Sequence, residues 1–297
     1  MLWILLAFIS PVLHGLSNII DEYFVNKIFK NIRVLIFFAS LLNFILGSII
    51  FLVKRPSLPP ISILPFLIII SLIEILYLIP YCLALRSSDT SIVASMFSLG
   101  DILVPVLAFF IVRESLQFHQ YLGFFIIILS SFLLSFDSKK KFKINISLFY
   151  MLLCSLMLSV ETVLYKYVCN ISDWDSSFIW IIFISFFFVI TFFFISPKYR
   201  SEIKQEFPKF KQNSKLLALE ELLTFIGELA TAYVISLVSV TLVEGISATQ
   251  PIFVLLFAVT LNKKNPNIFK ENVDKKSIIK KITLFILVII GIIFTLK

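Results

Sequence analysis

Apolar residues run along this chain in about ten stretches of spanning length, separated by short polar gaps. The stretches lie near 2–22, 33–53, 63–85, 90–112, 119–136, 147–168, 177–196, 216–237, 240–261 and 280–296. A helix needs about 20 apolar residues to cross a hydrocarbon layer roughly 30 Å thick. Helices are the spanning form to expect, because each satisfies its own backbone hydrogen bonds where no water can. Two of the runs are too long to be single spans. As one helix, 216–261 would be about 69 Å long at 1.5 Å per residue, so a tight turn is predicted near Ser236–Ser239. The same reasoning divides 63–112 at Arg86-Ser87-Ser88-Asp89. The pattern therefore predicts an all-α polytopic membrane protein of ten transmembrane helices.

Composition agrees. Of 297 residues 59% are hydrophobic and 34 are Phe, more apolar surface than a soluble core could bury. The opening MLWILLAFISPVLHGL has no basic residue ahead of its apolar run, so it reads as a first span and not a cleaved signal peptide. Cys82 and Cys154 fall inside spans and Cys169 at a span end, which gives no disulfide framework.

The net charge of +8 could suggest nucleic acid, but the basic residues sit at span ends. With ten spans, 21 of the 26 fall on one side: Lys27, Lys30, Arg33, Arg86, Lys139–Lys143, and the groups 198–215 and 263–281. Lys54, Arg55, Arg113, Lys166 and Lys297 occupy the other. The positive-inside rule puts the richer side in the cytoplasm and both termini outside. Nucleic acid is excluded as a partner; the lipid bilayer is implied, in a bacterial inner membrane.

The chain also reads as an inverted duplication. At a shift of 144 residues, 12–24 lies beside 156–168, with Tyr23 on Tyr167. At a shift of 150, Ser91-Ile92-Val93 meets Thr241-Leu242-Val243 and Asp101 meets Pro251. Both matches fall on either side of a basic linker at 138–145, leaving repeats 1–137 and 146–297. Five spans in each half would invert the second relative to the first, an arrangement common in secondary transporters.

Within the first half, Tyr81-x-x-Ala84-Leu85, Ser91-x-Val93-Ala94, Leu99, Pro105 and Arg113-Glu114 are followed by Glu114-x5-Gln120-x2-Gly123. Together with the opening LWILLAF…SNIIDEYFVNK, these residues resemble the EamA-like family of the drug/metabolite transporter superfamily. The second half departs from the pattern: Asn262-Lys263-Lys264 follows its fourth span, and no Glu/Gln/Gly signature appears. Asp101 stands where the family usually has a mid-span proline. The resemblance implies ten helices around a central cavity lined by the first, third and fourth helices of each half. It implies solute transport without naming the solute. It also implies both termini in the cytoplasm, opposite to the charge count, which we follow for this chain.

No catalytic, nucleotide, cofactor or metal motif is visible, so an enzyme is not expected. The informative residues are ionisable groups at membrane depth, where each costs roughly 2.5–3.5 kcal/mol on insertion scales and so faces a cavity or a partner. Asp101 is central in the fourth span, Glu74 in the third and Glu228 in the eighth. Tyr77 and Tyr81 share a face with Glu74. His14, Glu161, Glu244 and Gln250 complete the expected substrate site. His14 is as readily a packing histidine, and Glu244 is near enough to an interface to snorkel. Glu220 and Glu221 open the eighth span and read as a helix end, and Glu114 and Gln120 as capping groups at a turn. No Lys or Arg lies at comparable depth. An acidic site favours a cationic or zwitterionic solute, or coupling to protons, with cation–π contacts from Tyr, Phe or Trp180. The reading is a secondary transporter of a small amino-acid-like or amine-bearing metabolite working by alternating access. The alternatives are a multidrug or toxic-cation exporter and, in another class, a lipid-carrier flippase or membrane-embedded enzyme. Oligomeric state is not encoded in any of these features.

Overall fold

The computed structural model describes residues 2–88, 90–134, 146–264 and 275–296. The basic linker at 138–145 and Lys297 lie outside the described residues, so the orientation expected from charge rests on sequence alone. Among the described residues every regular element is helical. In chain order they are α1 (Leu2–Ile28), α2 (Ile32–Lys54), α3 (Leu64–Ser87), α4 (three segments, Thr90–Met96, Ser98–Asp101 and Val104–Ile111) and α5 (Phe118–Leu134). There follow α6 (Ile146–Cys169), α7 (Trp174–Ile195), α8 (Pro197–Leu237), α9 (two segments, Val240–Ser247 and Gln250–Lys264) and α10 (Lys275–Leu296). Seven of them, α1, α2, α3, α4, α6, α7 and α9, are long and apolar enough to cross a membrane. The protein is an integral, multi-pass membrane protein.

Four of the helix interruptions lie just ahead of a proline, whereas α4 also breaks at Phe97 without one and α8 runs on through Pro208. A proline lacks the N–H that would bond to the fourth residue back, and its ring crowds that carbonyl. α1 is interrupted at Phe8 ahead of Pro11, and α3 at Tyr77 ahead of Pro80. α4 is interrupted at Ile102–Leu103 ahead of Pro105, and α9 at Ala248–Thr249 ahead of Pro251. α2, α6 and α7 have no internal proline and run unbroken. Chain reversals use caps: Asn31 accepts from Arg33 N–H to start α2, Ser196 from Tyr199 N–H to start α8, and Ser239 from Leu242 N–H to start α9. The last of these closes the turn that separates α8 from α9.

One expectation is corrected. The eighth helix does not start near 216 but at Pro197, and runs 41 residues. Its first half is polar, so hydropathy alone missed it. That half is docked on the α1–α2 corner: Asn31 donates to Glu202 at 2.6 Å, Lys30 N–H to Glu206 at 3.2 Å, and the Tyr199 hydroxyl to the Arg33 carbonyl at 2.9 Å. Burial pushes the Tyr199 phenol above its usual range, and the nearby Glu202 adds to that while Arg33 opposes it. Phe38 stacks on Phe210 with ring centroids 4.1 Å apart, so aromatic contact reinforces the polar docking.

Around the axis, α1 packs on α8 and α9, and α6 packs on α3 and α4. α2 meets α7 and α8, α3 meets α7, and α5 and α10 pair with each other at the periphery. Two close approaches depend on glycine. Gly15 of α1 lies against Phe253 and Val254 of α9, where a Cβ would come within 2.8 Å of Phe253 Cβ. Gly100 of α4 lies against the Ser155 carbonyl of α6, where a Cβ would overlap it. Small residues at such contacts let backbones approach where lipid provides no hydrophobic drive between helices.

Candidate functional site

The inner faces of α1–α4 and α6–α9 line a cavity of ≈320 Å³. All nine residues singled out from the sequence line it: His14, Glu74, Tyr77, Tyr81, Asp101, Glu161, Glu228, Glu244 and Gln250. α2 and α7 contribute lining too, beyond the first, third and fourth helices of each half.

Three acids join them that sequence reasoning passed over or misassigned: Asp21, Glu220 and Glu221. Glu220 and Glu221 are not at a helix end; α8 begins far upstream, and both are buried well inside it. The signal was present as polar stripes. His14, Ser17, Asn18 and Asp21 recur at i, i+3, i+4 and i+7 on α1, and Glu221, Thr224, Glu228 and Thr231 at i, i+3, i+7 and i+10 on α8. Each set falls on one helical face. Among the described residues, eight carboxyl groups line the cavity and no Lys or Arg does.

The acids form local groups. The Tyr81 hydroxyl lies 2.9 Å from both Asn18 Oδ1 and Asp21 Oδ2. Ser17 donates to Glu220 Oε1 at 2.8 Å, and Thr224 donates to the same oxygen at 3.0 Å. Glu220 and Glu221 are hydrogen-bond neighbours. Further along, the carboxyls of Glu74 and Glu161 are within hydrogen-bonding range of each other, and Glu228 is within electrostatic reach of Glu74. Two carboxyl groups that close must share a proton or a bound cation. Asp101 has Glu244 as its electrostatic neighbour, and Glu244 accepts a hydrogen bond from Thr162. His14 is held between helices: its Nδ1 is 3.0 Å from Ser10 Oγ, and its ring rests on α8 at Gly227.

Some polar atoms in this lining have no protein partner. Glu161 Oε2, Asn18 Nδ2, Asn43 Oδ1 and Ser98 Oγ are shielded from solvent and make no hydrogen bond. Such atoms cost free energy unless something else meets them. Among the described residues, no three His, Cys, Asp or Glu side chains are grouped to hold a metal ion.

The outer ends of the bundle look different. Glu114, after α4, accepts from Ser239 Oγ at 2.5 Å, Val240 N–H at 2.9 Å and Thr241 N–H at 3.1 Å, so it caps the start of α9. Lys166 donates to the carbonyls of Ile235 and Val238 at 2.7 and 2.8 Å, at the end of α8. Arg86 donates to the carbonyls of Val25, Phe29 and Lys30 at the end of α1. Carboxylate on helix start and cation on helix end both complement the backbone dipole.

Residues 1–136 match the model of the EamA-like transporter family. That is the half of the chain carrying Arg113-Glu114 and the Gln120-x2-Gly123 signature. A protein of known crystal structure, 11% identical, superposes with a TM-score of 0.62 over 96% of this chain and 97% of its own. At that identity the likeness concerns the fold alone. No curated protein matches.

Proposed function

We propose that this protein is a secondary transporter that carries a small amine-bearing or amino-acid-like solute by alternating access, with proton exchange at its acids. The observation that carries the reading is the cavity itself: among the described residues, eight carboxyl groups and no Lys or Arg line one space within a helical membrane bundle. An anionic solute would find no cation to bind there, and uncompensated carboxyls at that depth are costly. The family match over the first half supports transport as the activity.

The same reading includes ten spans in two inverted five-helix repeats, 1–137 and 146–297. The packing supports it. Exchanging α1–α5 with α6–α10 turns the contacts of α1 with α8 and α9 into those of α6 with α3 and α4. It turns α2–α8 into α7–α3, and maps α2–α7 and α5–α10 onto themselves. The glycine approaches exchange as well, Gly15 at α1–α9 for Gly100 at α4–α6. The interrupted helices α1, α3, α4 and α9 all line the cavity, as discontinuous helices do at the midplane sites of many transporters. An enzyme would want a paired constellation near one membrane face, and the acids here are spread over six helices around one central space.

The test is uptake into proteoliposomes of purified protein, screened over amines, amino acids and organic cations at opposing proton gradients. Saturable uptake of a cationic or zwitterionic solute, lost in Glu74→Gln, supports the reading. Uptake confined to anions would sink it. Orientation is tested by labelling Lys209→Cys and Asn170→Cys with an impermeant thiol reagent in intact cells, native cysteines replaced. Labelling at 170 and not at 209 is expected from the charge bias.

A further inference from the structure

Six of the eight cavity carboxyls lie on two levels, and Asp101 and Glu244 form a separate pair. On α8, Glu221 and Glu228 are seven residues apart, two turns, so they share a face about 10.5 Å apart along the axis. On α3 the same interval separates Tyr81 from Glu74. Hydrogen bonds tie the first level together across helices, and close approach of the carboxyls relates the members of the second. Asp21, Glu220 and Glu221 gather with Tyr81, Ser17 and Thr224 at one level. Glu74, Glu161 and Glu228 gather at the other.

Ile75, Tyr77 and Leu78 fall between Glu74 and Tyr81 in the sequence of α3, and the same lining includes the apolar side chains of Phe97 and Leu158. Phe97 lies 5.6 Å from the Tyr81 ring, centroid to centroid.

Unpartnered polar groups occur at both levels and beside them. Asn18 is 6% exposed and its Nδ2 has no partner. The Tyr81 hydroxyl has one proton for the two oxygens at 2.9 Å. Exchanging the amide ends lets Asn18 Nδ2 donate to the phenol, frees that proton for Asp21, and leaves the amide oxygen as the group without a partner. At the other level Glu161 Oε2 has no partner, and Ser98 on the neighbouring α4, 1% exposed, has a free Oγ. With the Asn18 amide so turned, the Asn18 and Glu161 oxygens are unmet acceptors and Ser98 Oγ can accept as well, which suits a ligand rich in donors.

We propose that the substrate is a linear diamine or polyamine, bound end to end, with one ammonium group at the Asp21/Glu220/Glu221 level and another at the Glu74/Glu161/Glu228 level. This rests on the reading of the cavity as an amine transporter's site and names the substrate class within it. The methylene chain lies along Ile75, Tyr77, Leu78 and Leu158, where a hydrated or branched polar solute would bury its own polar groups unpaired. Each ammonium, with three donors, meets carboxyl, hydroxyl and amide acceptors. Two positive charges suit two groups of acids, where a single charge leaves one group without a counter-ion. An α-amino acid, whose charges sit on one carbon, cannot reach both levels and brings a carboxylate to an acidic wall.

The test is titration of the purified protein in detergent with α,ω-diamines of increasing length, from diaminopropane to diaminooctane, with spermidine, and with n-alkylamines of matched length. Affinity that peaks at one chain length, about tenfold or more above the matched monoamine, is the expected result. Glu221→Gln and Glu228→Gln, at opposite ends, should each reduce the diamine to the monoamine's affinity, while a monoamine loses affinity in only one of the two. The wild-type length series stands even if a variant fails to fold. Monoamines or amino acids bound as tightly as diamines would overturn the two-ended site and leave amine transport standing. Binding of no amine, with uptake of another solute class intact, would overturn both.

Discussion

Two populations of charge in this protein are treated in opposite ways. At the ends of the bundle each deep charge is met by backbone: Glu114 by two amides and a hydroxyl of α9, Lys166 by two carbonyls of α8, Arg86 by three carbonyls around the end of α1. In the cavity, eight carboxyls face one another with no cation among them and with Glu161 Oε2 wholly unpartnered. A charge that completes a helix terminus lowers the free energy of the fold. An acid placed among other acids raises it, and such strain persists where something outside the fold, a proton or a cationic solute, relieves it. The contrast separates charges that complete helix ends from the charges that the proposed transport would use.

That contrast is broken most directly in the cavity. Glu74→Gln, Glu161→Gln and Glu228→Gln should each lower transport by about tenfold or more, since each removes a counter-charge from one group of acids. Their melting temperatures should match or exceed that of the wild type, because a neutral amide of the same shape removes repulsion. Uptake assays paired with thermal unfolding in detergent read both quantities. Wild-type transport in all three variants would show that these acids are packing groups.

Hydropathy made the membrane class and the central acids legible, because a Glu or Asp in the middle of an apolar helix is conspicuous by itself. Glu74, Asp101, Glu228 and Glu161 were found that way. Glu220 and Glu221 were misread for the same reason that α8 was cut short: the charged stretch before them looked like a loop, and it is helix from Pro197 onward. Asp21 was overlooked because it lies near the polar end of the first stretch, beside Glu22, and only the stripe from His14 through Ser17 and Asn18 would have assigned it inward. The pairing of levels across helices depends on which turn of α1 meets which turn of α8. One chain's sequence does not encode that contact locally. Glu114 shows the reverse case, since a capping role was anticipated from its place at a turn, while the helix it caps is 125 residues away in sequence.

The helix-end charges sharpen the comparison from the other side. Glu114→Ala strands two amides and a hydroxyl at the start of α9 and should cost about 1.5–3 kcal/mol of stability, the range for hydrogen bonds to a charged group. Lys166→Met leaves the Ile235 and Val238 carbonyls unmet and should cost about as much, less whatever water supplies. In both, the remaining folded protein should bind the transported solute with unchanged affinity. Thermal unfolding followed by binding at a temperature well below the transition distinguishes the outcomes. A variant that keeps its melting temperature and loses binding would move that residue from the structural set to the functional one.

The smallest effect is expected where charges pair outside both settings. Lys54, the last residue of α2, reaches Asp175 at the start of α7 at 3.3 Å, and the Lys54 side chain is 55% exposed. Exposed pairs of this kind contribute about 0–1 kcal/mol, because water screens them and two long side chains lose freedom to form them. Here the lysine completes no buried group, and Trp180 ties the same corner independently by donating to the Ser57 carbonyl at 2.8 Å. Lys54→Ala should therefore leave transport unchanged and shift stability by less than either helix-end variant, with the residual effect vanishing in high salt. A loss as large as that of Glu114→Ala would mean that proximity between opposite charges, and not completion of a helix terminus, is what makes a charge structural in this protein.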